Sequence, residues 1–173
     1  MSYQDEPLPQ GPRRSESHGL EALLTFLSES DIDCQVVPHE QTFTARAEAR
    51  VSQVEPEQAA KTVVLRVDDA YRLAVVPASE HVDLRKVRDL LGVSRGHLAL
   101  ATEAQIAEAF PAYEVGALPP IGPQLVPEIL DRRLLAHDRI LCSGADHAHG
   151  ILLDLRDVVR VAGAKVADIC QER

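Results

Sequence analysis

The sequence predicts an α+β domain with helices flanking a mixed, largely antiparallel central sheet. Helical-period and strand-period segments alternate without a regular βαβ repeat. Residues 62–67 and 71–76 are rich in β-branched side chains, and Asp68-Asp69-Ala70 separates them, so they read as the clearest hairpin. A hydrophobic content of 45% in 173 residues is enough for one packed core; with aromatics at 3% and no Trp, Leu, Val, Ala and Ile must fill it.

Taken in order, residues 1–17 are rich in Pro, Gly, Ser and charge and read as a disordered tail, which leaves 18–173 as a single domain. Leu20, Leu23, Leu24 and Leu27 recur at helical spacing and predict a first helix. Residues 33–37 read as a strand stopped by Pro38. Thr42 or Thr44 is placed to cap a short helix over 45–51. Glu55-Pro56-Glu57 resembles a second helix start, with Pro in the first turn, running to about residue 60. After the hairpin, a helix over 82–91 ends at Gly92, a C-cap residue. A strand over 98–101 leads to Thr102-Glu103-Ala104-Gln105, a capping box opening a helix to about Phe110. Residues 124–129 read as extended, 132–137 as a helical turn, 139–142 and 150–153 as strands, and 155–161 as a last helix.

Between these elements runs YEVGALPPIG, residues 113–122. Pro119 and Pro120 exclude helix and central strand, and Gly116 and Gly122 permit backbone angles or close approaches that other residues forbid. The expected result is a stiff loop able to wall a pocket.

The totals exclude several classes. No apolar run approaches the length of a membrane span, and the N-terminus lacks the apolar region of a signal peptide. Cys34, Cys142 and Cys170 are scattered and read as free thiols in a reducing cytoplasm. A net charge of -9 opposes non-specific binding to long nucleic acid, DNA included. Small basic groups that could hold one RNA end are Arg46 with Arg50, Arg85 with Lys86 and Arg88, and Arg132 with Arg133, although solvated helix faces account for each of them more simply.

Of the side chains able to carry chemistry, Lys61 stands at the mouth of the hairpin, where it either snorkels to the rim or enters a polar cleft as a point charge. His147 and His149 follow Ser143-Gly144. A spacing of two on a strand would put both histidines on one face, but no third ligand is evident, so no metal is expected. Nucleophile elbow, P-loop and dinucleotide signatures are missing.

The segments PHEQTFTA, AAKTVVLR with Lys61, RLAVVPASEHVDLRKV, LATEAQIAEAFPAYEVGALPPIG and ILCSGADHAHGILLDLRDVV, taken together, resemble the YbaK family of aminoacyl-tRNA deacylases. That family includes the editing domain inserted in bacterial prolyl-tRNA synthetases and its free-standing relatives. The likeness covers roughly residues 19–161 and includes the family's GxxxP loop as Gly116-Ala117-Leu118-Pro119-Pro120. It implies a trans-editing hydrolase without cofactor. The substrate would be the ester of a small mischarged amino acid, of Cys, Ala or Pro type, at the acceptor end of tRNA-Pro, with prolyl-tRNA synthetase as a further partner. It implies catalytic roles for Lys61, Gly116 and His147. Lys61 would hold the charged end of the substrate and face the Gly116 loop across a shared cleft. Ala117, Leu118, Pro119, Pro120, Ile121 and Gly122 would line the aminoacyl pocket, with Ser143 and Gly144 closing its other side. Preorganised backbone donors contribute roughly 3–4 kcal/mol each to such a reaction. The alternatives are a non-catalytic module binding aminoacyl-tRNA or a synthetase, and a small-molecule sensor using the same pocket.

Overall fold

The computed structural model describes residues 18–124 and 126–173; the tail expected over 1–17 lies outside the described residues. Helix α1 (His18–Glu29) places Leu20, Leu23 and Leu27 on one buried face, as the leucine spacing requires. They enter a cluster with Val75 and Leu130 of one sheet and Ile140, Ile151 and Leu153 of another. The expected central sheet is thus accompanied by a second, smaller one.

The larger sheet has strand order β4-β2-β3-β5-β8. Its centre is the predicted hairpin, β2 (Ala60–Val67) and β3 (Ala70–Pro77), antiparallel and closed by Asp68-Asp69 with Asp68 at φ 52°. Strand β4 (Leu98–Leu100) is antiparallel to β2, while β5 (Glu128–Asp131) and β8 (Lys165–Ala167) add in parallel. Nothing in the short, polar-flanked sequence around β8 marked it as a strand. The smaller sheet is antiparallel, in the order β1 (Cys34–Pro38), β7 (His149–Asp154), β6 (Arg139–Ser143). An isolated parallel bridge, Ala59 to Leu141, joins the two sheets.

The remaining helices follow their caps. Thr44 rather than Thr42 caps α2 (Ala45–Val51), its side chain accepting from the Ala47 amide at 3.1 Å. Asp83 caps α3 (Leu84–Leu91), which starts two residues later than expected and stops at left-handed Gly92. The capping box is present at α4 (Glu103–Ala109): Thr102 accepts from the Gln105 amide, and Gln105 accepts from the Thr102 amide. Thr102→Ala is expected to lower stability by about 1 kcal/mol, measured by urea unfolding; an unchanged midpoint would show that α4 is held by packing alone. Helix α5 (Leu155–Ala162) buries Leu155 and Val158.

The helix expected at Glu55-Pro56-Glu57 is not formed. The segment makes one turn, with the Gln58 and Ala59 amides donating to the Glu55 carbonyl. Ala59 and Ala60 are already pulled into the sheet, by the bridge to Leu141 and by pairing with Pro77, so strand pairing outcompetes a second helical turn. Lys61 is consequently a strand residue, opposite Val76.

Candidate functional site

Three separate segments are laced together by backbone hydrogen bonds at one end of α2. The β1–α2 connection donates to the β6–β7 turn, His39 N to Ala148 O and Thr42 N to His147 O, both at 2.9 Å. The start of the proline loop joins the same turn, Glu114 N donating to Ala145 O at 3.0 Å and His147 N to the Glu114 carboxylate at 3.1 Å. Within the turn, Asp146 accepts from the Ala148 amide at 2.9 Å and from Nδ1 of His149 at 2.8 Å. Only His149 lies on β7. His147 sits in the turn before it, so the two histidines do not share a strand face.

These segments form a small hollow, open to solvent and lined by Thr42, Phe43, Thr44, Glu48, Gly116, Ser143, Asp146 and His147. Of the loop residues, Gly116 alone reaches it. Its φ of +87° is a left-handed value that side chains disfavour, and a Cβ there would point at His147 Cε1 from 3.4 Å and at the Phe43 carbonyl from 4.0 Å. Phe43 is 68% exposed and its ring centroid lies 5.0 Å from that of His147, forming one rim.

The floor is polar and buried. Glu48 of α2 splits its two oxygens between His39 Nε2 at 3.1 Å and the Ser143 hydroxyl at 3.0 Å. Burial raises the Glu48 pKa, against the lowering pull of His39 and Ser143. Gly150 of β7 runs beneath α2 here: a Cβ on it would come within 2.9 Å of Leu141 Cδ1 and 3.3 Å of the Glu48 carboxylate.

The expected site residues divide into groups. Gly116, Ser143 and His147 meet in the hollow, and Gly144 sits beside it, its amide donating to His149 O at 2.8 Å. Ala117, Leu118 and Ile121 are core residues; Leu118 packs with Val64 and Leu73, and Ile121 with Ala60 and Val75. Pro120, Ile121 and Gly122 line a different, small cavity behind the loop, together with Phe26, Glu128 and Val161. Pro119 is buried. A Cβ on Gly122 would lie 2.8 Å from the Tyr113 hydroxyl, which itself donates to Gln124 at 2.6 Å, so a side chain there would displace this hydrogen-bonded pair.

Lys61 does not line the hollow. Strand alternation puts it on the β2 face that carries Val63 and Leu65, whereas Leu118 and Ile121 cover the opposite face. It is half-buried, and its pKa is lowered by that burial and by Arg46 of α2, with Glu80 pulling the other way. The hollow and Lys61 therefore flank the same short helix, Glu48 on one side and Arg46 on the other. Of the other basic groups, Lys86, Arg132 and Arg133 all bind Asp168, and Lys86 also binds Glu172, so these cations brace the C-terminus.

His39, Phe43, Glu48 and Asp146 were not singled out from the sequence, and Thr42 and Thr44 were named only as helix caps. The string PHEQTFTA held four of the six but assigned them no place in a site, and nothing local to Glu48 indicates that Ser143 lies beneath it.

Residues 39–161 match the profile of the aminoacyl-tRNA editing domain. The chain belongs to this family. The editing-domain match spans the whole lining of the hollow together with Lys61, and leaves α1 and β8 outside it. The fold is similar to that of a protein described as a candidate trans-editing enzyme for prolyl tRNA synthetase, at 24% identity over 91% of this chain and 100% of that one, with a TM-score of 0.80. It is also similar to a scaffold used for presenting grafted linear epitopes (21% identity, 91% and 100% covered, TM-score 0.79) and to a hypothetical protein (20%, 86% and 98%, TM-score 0.77). At these identities the likeness is one of fold. Among the described residues of this editing domain, no helix is long and apolar enough to cross a membrane, and no group of three or more His, Cys, Asp or Glu is placed to hold a metal ion.

Proposed function

We propose that this editing domain acts in trans as a deacylase on tRNA carrying a small wrong amino acid, Cys or Ala on tRNA-Pro in the first place and Pro on another tRNA in the second. The observation that supports it best is the meeting of Gly116, Ser143 and His147, from two distant segments, in one polar hollow of an editing-domain fold. The protein similar in fold and described as a candidate trans-editing enzyme for prolyl tRNA synthetase supports the choice of tRNA. On this reading water adds to the ester carbonyl carbon, and the carbonyl oxygen becomes an oxyanion facing the Gly116 backbone. The C–O bond to the terminal ribose then breaks, one proton of the added water passes to the ribose oxygen, the other is released to solvent, and the amino acid leaves as its carboxylate. The terminal hydroxyl of the tRNA orients the water, and no protein nucleophile is needed. Positioning of this kind supplies several kcal/mol of the barrier. Lys61, beside Arg46, receives a phosphate of the acceptor end from outside the hollow.

The test is a panel of aminoacyl-tRNAs incubated with the pure protein and scored for loss of each amino acid. Release of Cys or Ala from tRNA-Pro, or of Pro from a tRNA for another amino acid, is expected, with Lys61→Ala slowing it about tenfold or more at unchanged thermal stability. The position of Lys61 away from the hollow favours one other reading, a module that binds aminoacyl-tRNA without hydrolysing it. Binding of the panel with no release would establish that reading instead.

A further inference from the structure

The floor of the hollow contains a hydrogen-bond chain whose direction can be worked out. Nδ1 of His39 lies 2.6 Å from the Glu40 carbonyl, which only accepts, so Nδ1 carries a hydrogen. Nε2 lies 3.1 Å from Glu48 Oε1, with both side chains buried. One proton must sit between these two atoms, since otherwise a bare lone pair would face a carboxylate. Whichever atom owns that proton, Glu48 Oε2 remains an acceptor. The Ser143 hydroxyl, 3.0 Å away, therefore donates to it. Having given up its only hydrogen, Ser143 can offer the hollow nothing but lone pairs. The other ionisable groups in the lining are Asp146 and His147, and among the described residues the lining has no lysine or arginine. A group that donates hydrogen bonds and carries positive charge fits these side chains, whereas an anion meets no lysine or arginine among them. The aminoacyl ester of the reading above, on which this inference rests, has one such group, its free α-ammonium.

We propose that His39 and Glu48 are positioning residues that fix Ser143 as a hydrogen-bond acceptor for the α-ammonium of the aminoacyl ester. The site therefore selects aminoacyl groups with an unblocked amine. Glu48 acts only through Ser143. A glutamine in its place can keep the arrangement, its amide nitrogen donating to His39 Nε2 and its amide oxygen accepting from Ser143.

The experiment compares one aminoacyl-tRNA that the protein cleaves with the same tRNA after N-acetylation of the amino acid. The wild type, Ser143→Ala, Glu48→Leu and Glu48→Gln are each scored as the ratio of kcat/KM for the two substrates. The wild type is expected to prefer the free amine by about tenfold or more, the scale of a hydrogen bond to a charged group. Ser143→Ala and Glu48→Leu bring the ratio to within about twofold of one, and Glu48→Gln preserves it. Loss of folded protein lowers both rates together and leaves the ratio unmoved. A wild-type ratio near one, or a full preference retained by Ser143→Ala, overturns the proposal. A second arm measures binding of 3′-alanylamino-3′-deoxyadenosine and its N-acetyl form by calorimetry. Selective binding of the free amine without any hydrolysis of the panel would remove the deacylase reading and keep this inference. Hydrolysis without preference would do the reverse. A protein that neither binds nor cleaves either form overturns both.

Discussion

Gly116→Val is expected to lower deacylation by about a hundredfold, the scale of losing one oxyanion donor, while leaving the domain folded. The residue holds φ at +87°, where a side chain costs on the order of 1–3 kcal/mol. Its Cβ would stand 3.4 Å from the His147 ring, so the two further methyls of valine would crowd that ring and the Phe43 carbonyl. The loop responds either by holding the strained angle or by rotating its backbone out of the hollow. Rotation removes the group that faces the ester. The stability loss stays small because Gly116 is exposed while its neighbours Ala117 and Leu118 remain buried on the far side. A shift of a few degrees in Tm fits that cost. Gly116→Ala separates the causes: an equal loss assigns the effect to the backbone angle, and a milder one assigns it to the crowding. Undiminished turnover in both variants would remove the loop from the reaction.

Glu128→Gln is expected to stabilise the protein above pH 8 and to leave it nearly unchanged at pH 5. Glu128 opens β5 with 5% of its surface exposed, its Oε1 has no hydrogen-bond partner, and it lines the cavity behind the proline loop. Burial pushes its pKa from 4.5 up to about 8. Between those two values the folded protein keeps a proton that the unfolded chain releases. The unfolded state is then favoured as pH rises, so stability is full below about pH 4.5 and is lost toward pH 8. A shift of this size corresponds to a loss on the order of several kcal/mol. Glutamine has no such ionisation, so the gap between variant and wild type should widen with pH in urea unfolding at pH 5, 7 and 9. Parallel profiles would show that the carboxyl finds solvent or a partner when it ionises.

The sequence made legible whatever depends on neighbours along the chain. The hairpin at Asp68-Asp69, the capping box at Thr102, the C-cap at Gly92 and the leucine face of α1 each follow from spacing and cap chemistry. The turn at Glu55-Pro56-Glu57 was misjudged as a helix because its local signals are helical, and only the pairing of Ala59 and Ala60 with distant strands overrides them. The same limit governs the site. Gly116, Ser143 and His147 could be named from motif resemblance, and they do converge. Lys61 could be named in the same way, but the face it occupies depends on strand register. Leu118 and Ile121 were placed in a pocket by the family likeness, yet the loop is stapled to β2 and β3 through those very side chains. Glu48 was not named, since Ser143 lies far along the chain from it, and His39 entered only as part of PHEQTFTA.

Position 150 carries a constraint for anyone redesigning this domain. The bare glycine there leaves just enough space for the Leu141 methyl and the Glu48 carboxylate above it. A methyl group added at 150 makes the Leu141 methyl shift, and a smaller residue at 141 would spare that shift. Trimming 48 would disturb the serine below it, so tolerated changes should pass through 141. These three sites are therefore neighbours whose substitutions are best varied together, so that a change at 150 is judged with 141 free to adapt.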